Sequence, residues 1–149
     1  MKEPIVTDST CLISLERIGR LDLLPALFDP ISIPPEVQRE FGIPMPWLKV
    51  QTLANESAVA VLKMSLDVGE AEAIALAHEQ DRRIILDDLR ARKVAKMLGV
   101  SSLGTIGVLI MAKRSQLVPA VKPLLNELEA KGFYMSVELQ QAALSLAGE

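Results

Sequence analysis

The stretch IILDDLR, Ile84–Arg90, carries a run of branched apolar residues into two adjacent carboxylates and then into a basic side chain. Its first half belongs to a buried strand, RIIL, and its end opens a helix, LRARKVAKMLG. Aspartate is a good helix N-cap, so a strand-to-helix turn accounts for one of the two acids. The other needs a separate reason. Before this stretch, GEAEAIALAHEQ is an alanine-rich helix with acids in its first turn, where they complement the positive end of the helix dipole. After it come strand VSSL and helix TIGVLIMAKRS. This β-α-β-α alternation is that of a parallel sheet covered by helices.

The N-terminal half has the same grammar. PIVTD is a short strand ending at Asp8, CLISLERIG a helix closed by Gly19, and LDLLPALF a second short helix with Pro25 in its first turn or at a kink. PISIP is the next strand, and PPEVQREFG a helix that begins at Pro35 and ends at Gly42. Val50 to Leu53 form a short extended segment and Ser57 to Leu66 a helix; two helices, Val121 to Lys131 and Ser136 to Ala147, close the chain. With no long linker and no internal repeat, residues 1–149 read as a single α/β domain.

Composition sets the bounds. A chain of 149 residues can bury a sizeable core without disulfide or structural metal, and its one cysteine, Cys11, sits in the apolar segment CLISL and reads as core. No apolar run has the length of a signal peptide or a membrane span, and a soluble protein of the reducing cytoplasm is expected. The net charge of −3 argues against indiscriminate nucleic-acid binding, yet Arg82, Arg83, Arg90, Arg92, Lys93 and Lys96 cluster around the opening stretch. A solvated helix face would explain that cluster equally.

In open parallel sheets, sites form beyond the carboxyl ends of the strands. Asp8 ends one predicted strand and Asp87 and Asp88 end another, so neighbouring strands would bring distant carboxylates into one crevice. Glu40 and Glu72 are the best placed further acids, although Glu36 could replace the former and Glu70 the latter. Such a group repels itself, so at least one member should resist ionisation and a bound cation is implied. Oxygen-only donors favour Mg²⁺ or Mn²⁺ over zinc. A metal of this kind, beside basic side chains that hold a nucleic-acid backbone, suits phosphodiester hydrolysis.

The ordered set VTDSTCLISLERIGRLDLL, IPPEVQREF, LDVGEAEAIALA, IILDDLRARKVAKMLGV and GTIGVLIMAKRSQLVPAVKPLLNEL resembles the PIN-domain ribonuclease family over most of the chain. Within it, the chain is similar to the toxin halves of bacterial and archaeal toxin–antitoxin pairs. The resemblance implies a three-layer α/β/α fold with a central parallel sheet and a helical C-terminus. It implies a Mg²⁺- or Mn²⁺-dependent endoribonuclease with an acidic quartet at Asp8, Glu40, Glu72 and Asp88, and with Asp87 as helix cap or auxiliary ligand. Ser9 matches the small hydroxyl residue after the first aspartate, and Ser9, Arg90, Arg92 and Lys93 are the expected substrate contacts. An RNA substrate, a cognate antitoxin and a homodimer are the implied partners, the apolar helices LDLLPALF and VLIMAKR suggesting the pairing surface. Two departures stand out: Leu86 replaces the Ser or Thr found two residues before the last aspartate in many active members, and the third acid is Glu rather than Asp.

Other classes remain open. The chain could be a PIN-like binding module that keeps the acids without turnover, or a Mg²⁺-dependent phosphatase with Asp8 as nucleophile. His78, the one histidine, reads as a surface residue. Thr105 in GTIG reads as an N-cap, and Trp47, Phe133 and Tyr134 are too scattered along the chain to suggest a base-stacking platform.

Overall fold

The computed structural model describes residues 1–149. Strand β1 (Glu3–Thr7) lies at the centre of a five-stranded sheet, with β2 (Phe28–Ile33) and then β3 (Leu48–Val50) on one side, and β4 (Arg83–Ile85) and then β5 (Ser102–Leu103) on the other. Every pairing is parallel. Ile5, Val6 and Thr7 follow one another in β1 with no exposure at all. Successive strand residues point to opposite faces, so both faces of the sheet are covered and the architecture is three-layered α/β/α.

The covering helices are α1 (Ser9–Arg17), α2 (Leu23–Leu27), α3 (Pro35–Phe41), α4 (Glu56–Leu62), α5 (Val68–Gln80), α6 (Leu89–Met97), α7 (Thr105–Arg114), α8 (Lys122–Ala130) and α9 (Val137–Leu146). Helix α3 packs on α1 and α5, and α5 also on α4, β1 and β4; α7 touches α2 and α9. The sequence boundaries are met to within a few residues, the usual uncertainty of frayed ends. Pro25 falls in the first turn of α2, and Gly42 closes α3 in the left-handed region, at φ 76°.

The apolar faces of LDLLPALF and VLIMAKR are spent inside the chain. Leu23, Leu24, Leu27, Val108, Leu109 and Ile110 all belong to the core. The surface expected from these helices for a homodimer is therefore not there; exposed apolar side chains are spread over α4, α6 and α9, among them Val61, Leu89 and Met97 and, on α9, Val137, Leu139 and Leu146. No helix is long and apolar enough to cross a membrane.

The topology also fixes where a site can form. From β1 the chain winds outward to β2 and β3, then crosses back to β4 and winds outward the other way to β5. The reversal falls between β1 and β4, and the crevice beyond their carboxyl ends is the place where ligands bind in sheets of this kind. Asp8 and Asp87 lie just past those ends. The Asp8 amide continues the ladder by donating to the Ile85 carbonyl at 3.1 Å.

Candidate active site

Helix N-termini converge on this crevice, and an aspartate caps each of them. Asp8 Oδ1 accepts from the Cys11 amide (3.4 Å) at the start of α1, Asp67 Oδ1 from the Glu70 amide (2.8 Å) at α5, and Asp88 Oδ1 from the Ala91 amide (2.9 Å) at α6. Helix α7 has no side-chain cap of its own. Asp87 reaches across from the end of β4 and accepts from the Thr105 amide (2.8 Å) and hydroxyl (2.6 Å). Thr105 is thus the first residue of α7 rather than its N-cap, a position held by Gly104. Capping and gathering of charge turn out to be the same act: each aspartate fixes one oxygen on a positive helix end and leaves the carboxylate at the crevice.

The acids feel one another. Burial first, then the Asp87 charge, push the Asp8 carboxyl well above the ordinary carboxylate range, with Glu70 and Asp67 adding to the effect. Glu70, partly buried, is pushed up to about 7 by desolvation and by the charges of Asp67 and Asp88. Glu40 is raised by desolvation, against the hydrogen bond from Ser9, and Asp67 raises it further. Burial also raises Asp87, while its two bonds from Thr105 and the Arg92 charge work the other way. Burial is the leading cause in all four, and repulsion between carboxylates adds to it at Asp8, Glu70 and Glu40.

Glu72 is not among them. Glu70 and Glu72 lie on α5 at positions roughly 200° apart around the axis, so only one can face the crevice. Glu70 does; the Glu72 carboxylate accepts instead from the Glu36 amide (3.2 Å) at the start of α3, which Pro34 cannot cap. Glu36, the alternative to Glu40, is paired with Arg39. Asp67 was not among the expected acids, although Asp67-Val68-Gly69-Glu70 has the spacing of a capping box. Leu86 is wholly buried in the core and has no hydroxyl to offer; the hydroxyl at Asp87 comes from Thr105.

Of the expected substrate contacts, Ser9 lies beside Glu40 and favours its ionised form. Arg90 donates to the Ser65 carbonyl (3.4 Å) and Arg92 to Ser102 Oγ (3.4 Å), and Lys93 is exposed on α6. The Arg82 guanidinium bonds Ser32 Oγ, and Arg83 pairs with Glu3. Much of the basic cluster is therefore structural. His78 is exposed, as expected.

The donors fit a hard divalent ion in their chemistry. They are carboxylates, burial lifts the nearby Cys11 thiol above its usual range, and a cation would offset the desolvation and the repulsion that raise the acids. They do not form a closed ligand shell: no three acidic, cysteine or histidine side chains converge as ligands of one ion.

Two substitutions test this geometry. Gly69 has an ordinary helical backbone, so its conformation does not call for glycine; an added Cβ would instead clash with the Glu40 carboxylate, at Oε1. Alanine inside a helix is normally favoured over glycine by roughly 0.5–1 kcal/mol. Gly69→Ala is accordingly expected to leave the melting temperature in a thermal melt unchanged or higher while displacing the Glu40 carboxylate, which the carboxyl NMR signal of Glu40 would report. Thr105→Val keeps the shape of a fully buried side chain but leaves one Asp87 oxygen without its partner, and a loss of about 1 kcal/mol in urea unfolding is expected.

Comparison with known proteins agrees with the fold. Six solved chains match, among them a PilT N-terminus domain protein from the hyperthermophilic archaeon Sulfolobus solfataricus P2. It is 18% identical, with a TM-score of 0.51 over 72% of this chain and 92% of its own, a likeness that speaks for the architecture alone. No curated protein matches. The family described as DUF3368, a PIN domain, matches residues 4–149, nearly the whole length, and the chain belongs to that family.

Proposed function

We propose that this protein is a Mg²⁺- or Mn²⁺-dependent endoribonuclease. PIN domains are generally nucleases and generally use divalent metals. The observation that carries the reading is the convergence of Asp8, Glu40, Glu70 and Asp88 at the β1/β4 crevice, with Asp8, Glu40 and Glu70 pushed toward protonation. Asp8, Glu40, Glu70 and Asp88 would hold the ion, one or two of them directly and the others through its waters, since no three converge as ligands of one ion, and Asp67 would tune them.

When bound, the metal supplies a polarised phosphoryl oxygen and a more acidic water. The chain supplies the rest. The caps on α1 and α6 fix Asp8 and Asp88, so the carboxylates need little reordering when a ligand arrives. Glu70, pushed up to about 7 while the site is metal-free, would give up its proton to become a ligand, so metal uptake near neutral pH releases a proton. Asp87, with both oxygens bonded to Thr105, holds the floor of the site and the start of α7 together.

The test is cleavage of a labelled single-stranded RNA by purified protein, with Mg²⁺ or Mn²⁺ and with chelator. Metal-dependent internal cuts are expected; no cutting with either ion would leave the non-catalytic binding module, which the open ligand shell favours as the second reading. A phosphatase using Asp8 as nucleophile is disfavoured, because its carboxyl is only 4% exposed and one of its oxygens is tied to the Cys11 amide, which leaves little room for in-line attack on phosphorus. A toxin role in the cytoplasm, with a cognate antitoxin and a homodimer, extends the same proposal. Exposed Val137, Leu139 and Leu146 on α9 support a protein partner, and light scattering should show a dimer at micromolar concentration.

A further inference from the structure

A cleft of about 510 Å³ opens over Asp87 and Asp88. One wall is α1, where Thr10, Ser14 and Arg17 recur at helical spacing on one face; the other is the connector from α8 to α9, with Lys131 and Tyr134. Gly132, at φ 95°, turns the chain between these two side chains. Arg17 and Lys131 are exposed, and neither belongs to any of the ion pairs Arg20–Asp22, Arg39–Glu36, Arg83–Glu3 or Lys113–Glu149. Arg82, Arg83, Arg90 and Arg92, by contrast, each have a partner within the chain. Tyr134 is 85% exposed at the cleft, an unusual place for an aromatic ring in a chain with 3% aromatic residues.

We infer that this cleft holds the substrate strand, with Arg17 and Lys131 gripping backbone phosphates on either side of the acids and Tyr134 stacking an unpaired base. The inference rests on the nuclease reading for the identity of the strand as RNA. Its electrostatic logic is independent. A polyanion approaching Asp87 and Asp88 is repelled unless cations flank them, and uncommitted side chains can serve a phosphate without first breaking an ion pair. An exposed ring offers its face to any base that is free of a duplex, which makes the grip selective for single strands and tolerant of sequence. Phe133 and Tyr134 thus acquire a role that their isolation in the sequence hid, Phe133 backing the cleft wall from a half-buried position.

The experiment is fluorescence anisotropy of a labelled single-stranded RNA with the intact protein in chelator, where no cleavage intervenes, repeated across a salt series. Arg17→Gln with Lys131→Gln is expected to weaken binding at least tenfold and to flatten the slope of log affinity against log salt by about 1.4, two contacts at about 0.7 each on a single strand. Tyr134→Ala is expected to weaken binding at least fivefold with the slope unchanged, and Tyr134→Phe to restore it. Arg90→Gln with Lys93→Gln, the contacts expected from the sequence, is expected to lose less affinity than the Arg17/Lys131 variant. Unchanged affinity and slope in the Arg17/Lys131 variant, or a larger loss in the Arg90/Lys93 variant, would overturn the inference while leaving metal-dependent cleavage untouched. Binding that obeys the expected pattern in a protein that never cleaves would overturn the nuclease reading and keep the cleft.

Discussion

Asp8→Asn is expected to lower metal-dependent RNA cleavage by at least about 100-fold while the protein stays folded. The two halves of that expectation come from different bonds. Asparagine caps a helix as well as aspartate does, so its side-chain oxygen can still accept from the Cys11 amide and α1 still begins where it should. What is lost is a negative charge in the most buried position of the acid group, and with it attraction for the ion. In chelator the variant should melt no lower than the unaltered protein, since burial and the Asp87 charge already penalise the ionised form of Asp8. Asp88→Asn should behave alike, its bond to the Ala91 amide being kept. Asp87→Asn should retain more activity and lose more stability, because both of its oxygens serve Thr105. Gel assays and melting curves on the three variants check the assignment. Full activity in Asp88→Asn together with loss in Asp87→Asn would exchange the roles of the pair.

The inner strands β1, β2 and β4 were legible because they announce themselves twice, as short β-branched runs and by Asp8, Pro34 and Asp87, which stop them; β3, at Leu48–Val50 rather than Val50–Leu53, carries neither mark. Asp8 and Asp88 were legible for the same reason: strand ends are where a parallel sheet places its chemistry, and no knowledge of packing is needed to find them. Glu72 shows where that logic stops. Two acids a residue apart on one helix differ only in the face they occupy, and the face is decided by how α5 lies against α3 and β1, which the alanine-rich sequence does not reveal. Asp67 was hidden differently, since a capping box is already a sufficient reason for an acid at that position. Arg17 and Lys131 belong to segments far apart in the chain that meet only because α1 packs on α8. The dense basic run on α6 drew attention instead, although charge density in sequence says nothing about which side chains are already paired.

Glu70→Gln is expected to invert its rank in stability when metal is added. In the metal-free protein Glu70 is pushed from an ordinary 4.5 up to about 7, so between those values the folded state holds a proton that the unfolded chain releases. Stability contributed by that proton is complete below about pH 4.5 and is lost as pH rises through about 7. The unaltered protein in chelator should therefore become less stable across this window, and Asp8, raised in the same direction, steepens the fall. Glutamine carries no charge at any pH. At pH 7.5 in chelator the variant should gain on the order of 1 kcal/mol over the unaltered protein, a value reduced from the full linkage because Glu70 is only partly buried and water screens its neighbours. Its stability should also depend less on pH. Metal acts in the other direction: an ion that binds only the folded state stabilises by mass action, by about 2.7 kcal/mol at a hundred times its dissociation constant. A variant lacking one ligand receives much less of that gain, so at millimolar Mg²⁺ or Mn²⁺ the unaltered protein should be the more stable by roughly 1–2 kcal/mol. Urea unfolding of both proteins at pH 5 and pH 7.5, with chelator and with metal, measures every part of this. Parallel curves in all four conditions would remove Glu70 from the site; the same crossing seen for Glu72→Gln but not for Glu70→Gln would mean that α5 turns its other face to the acids.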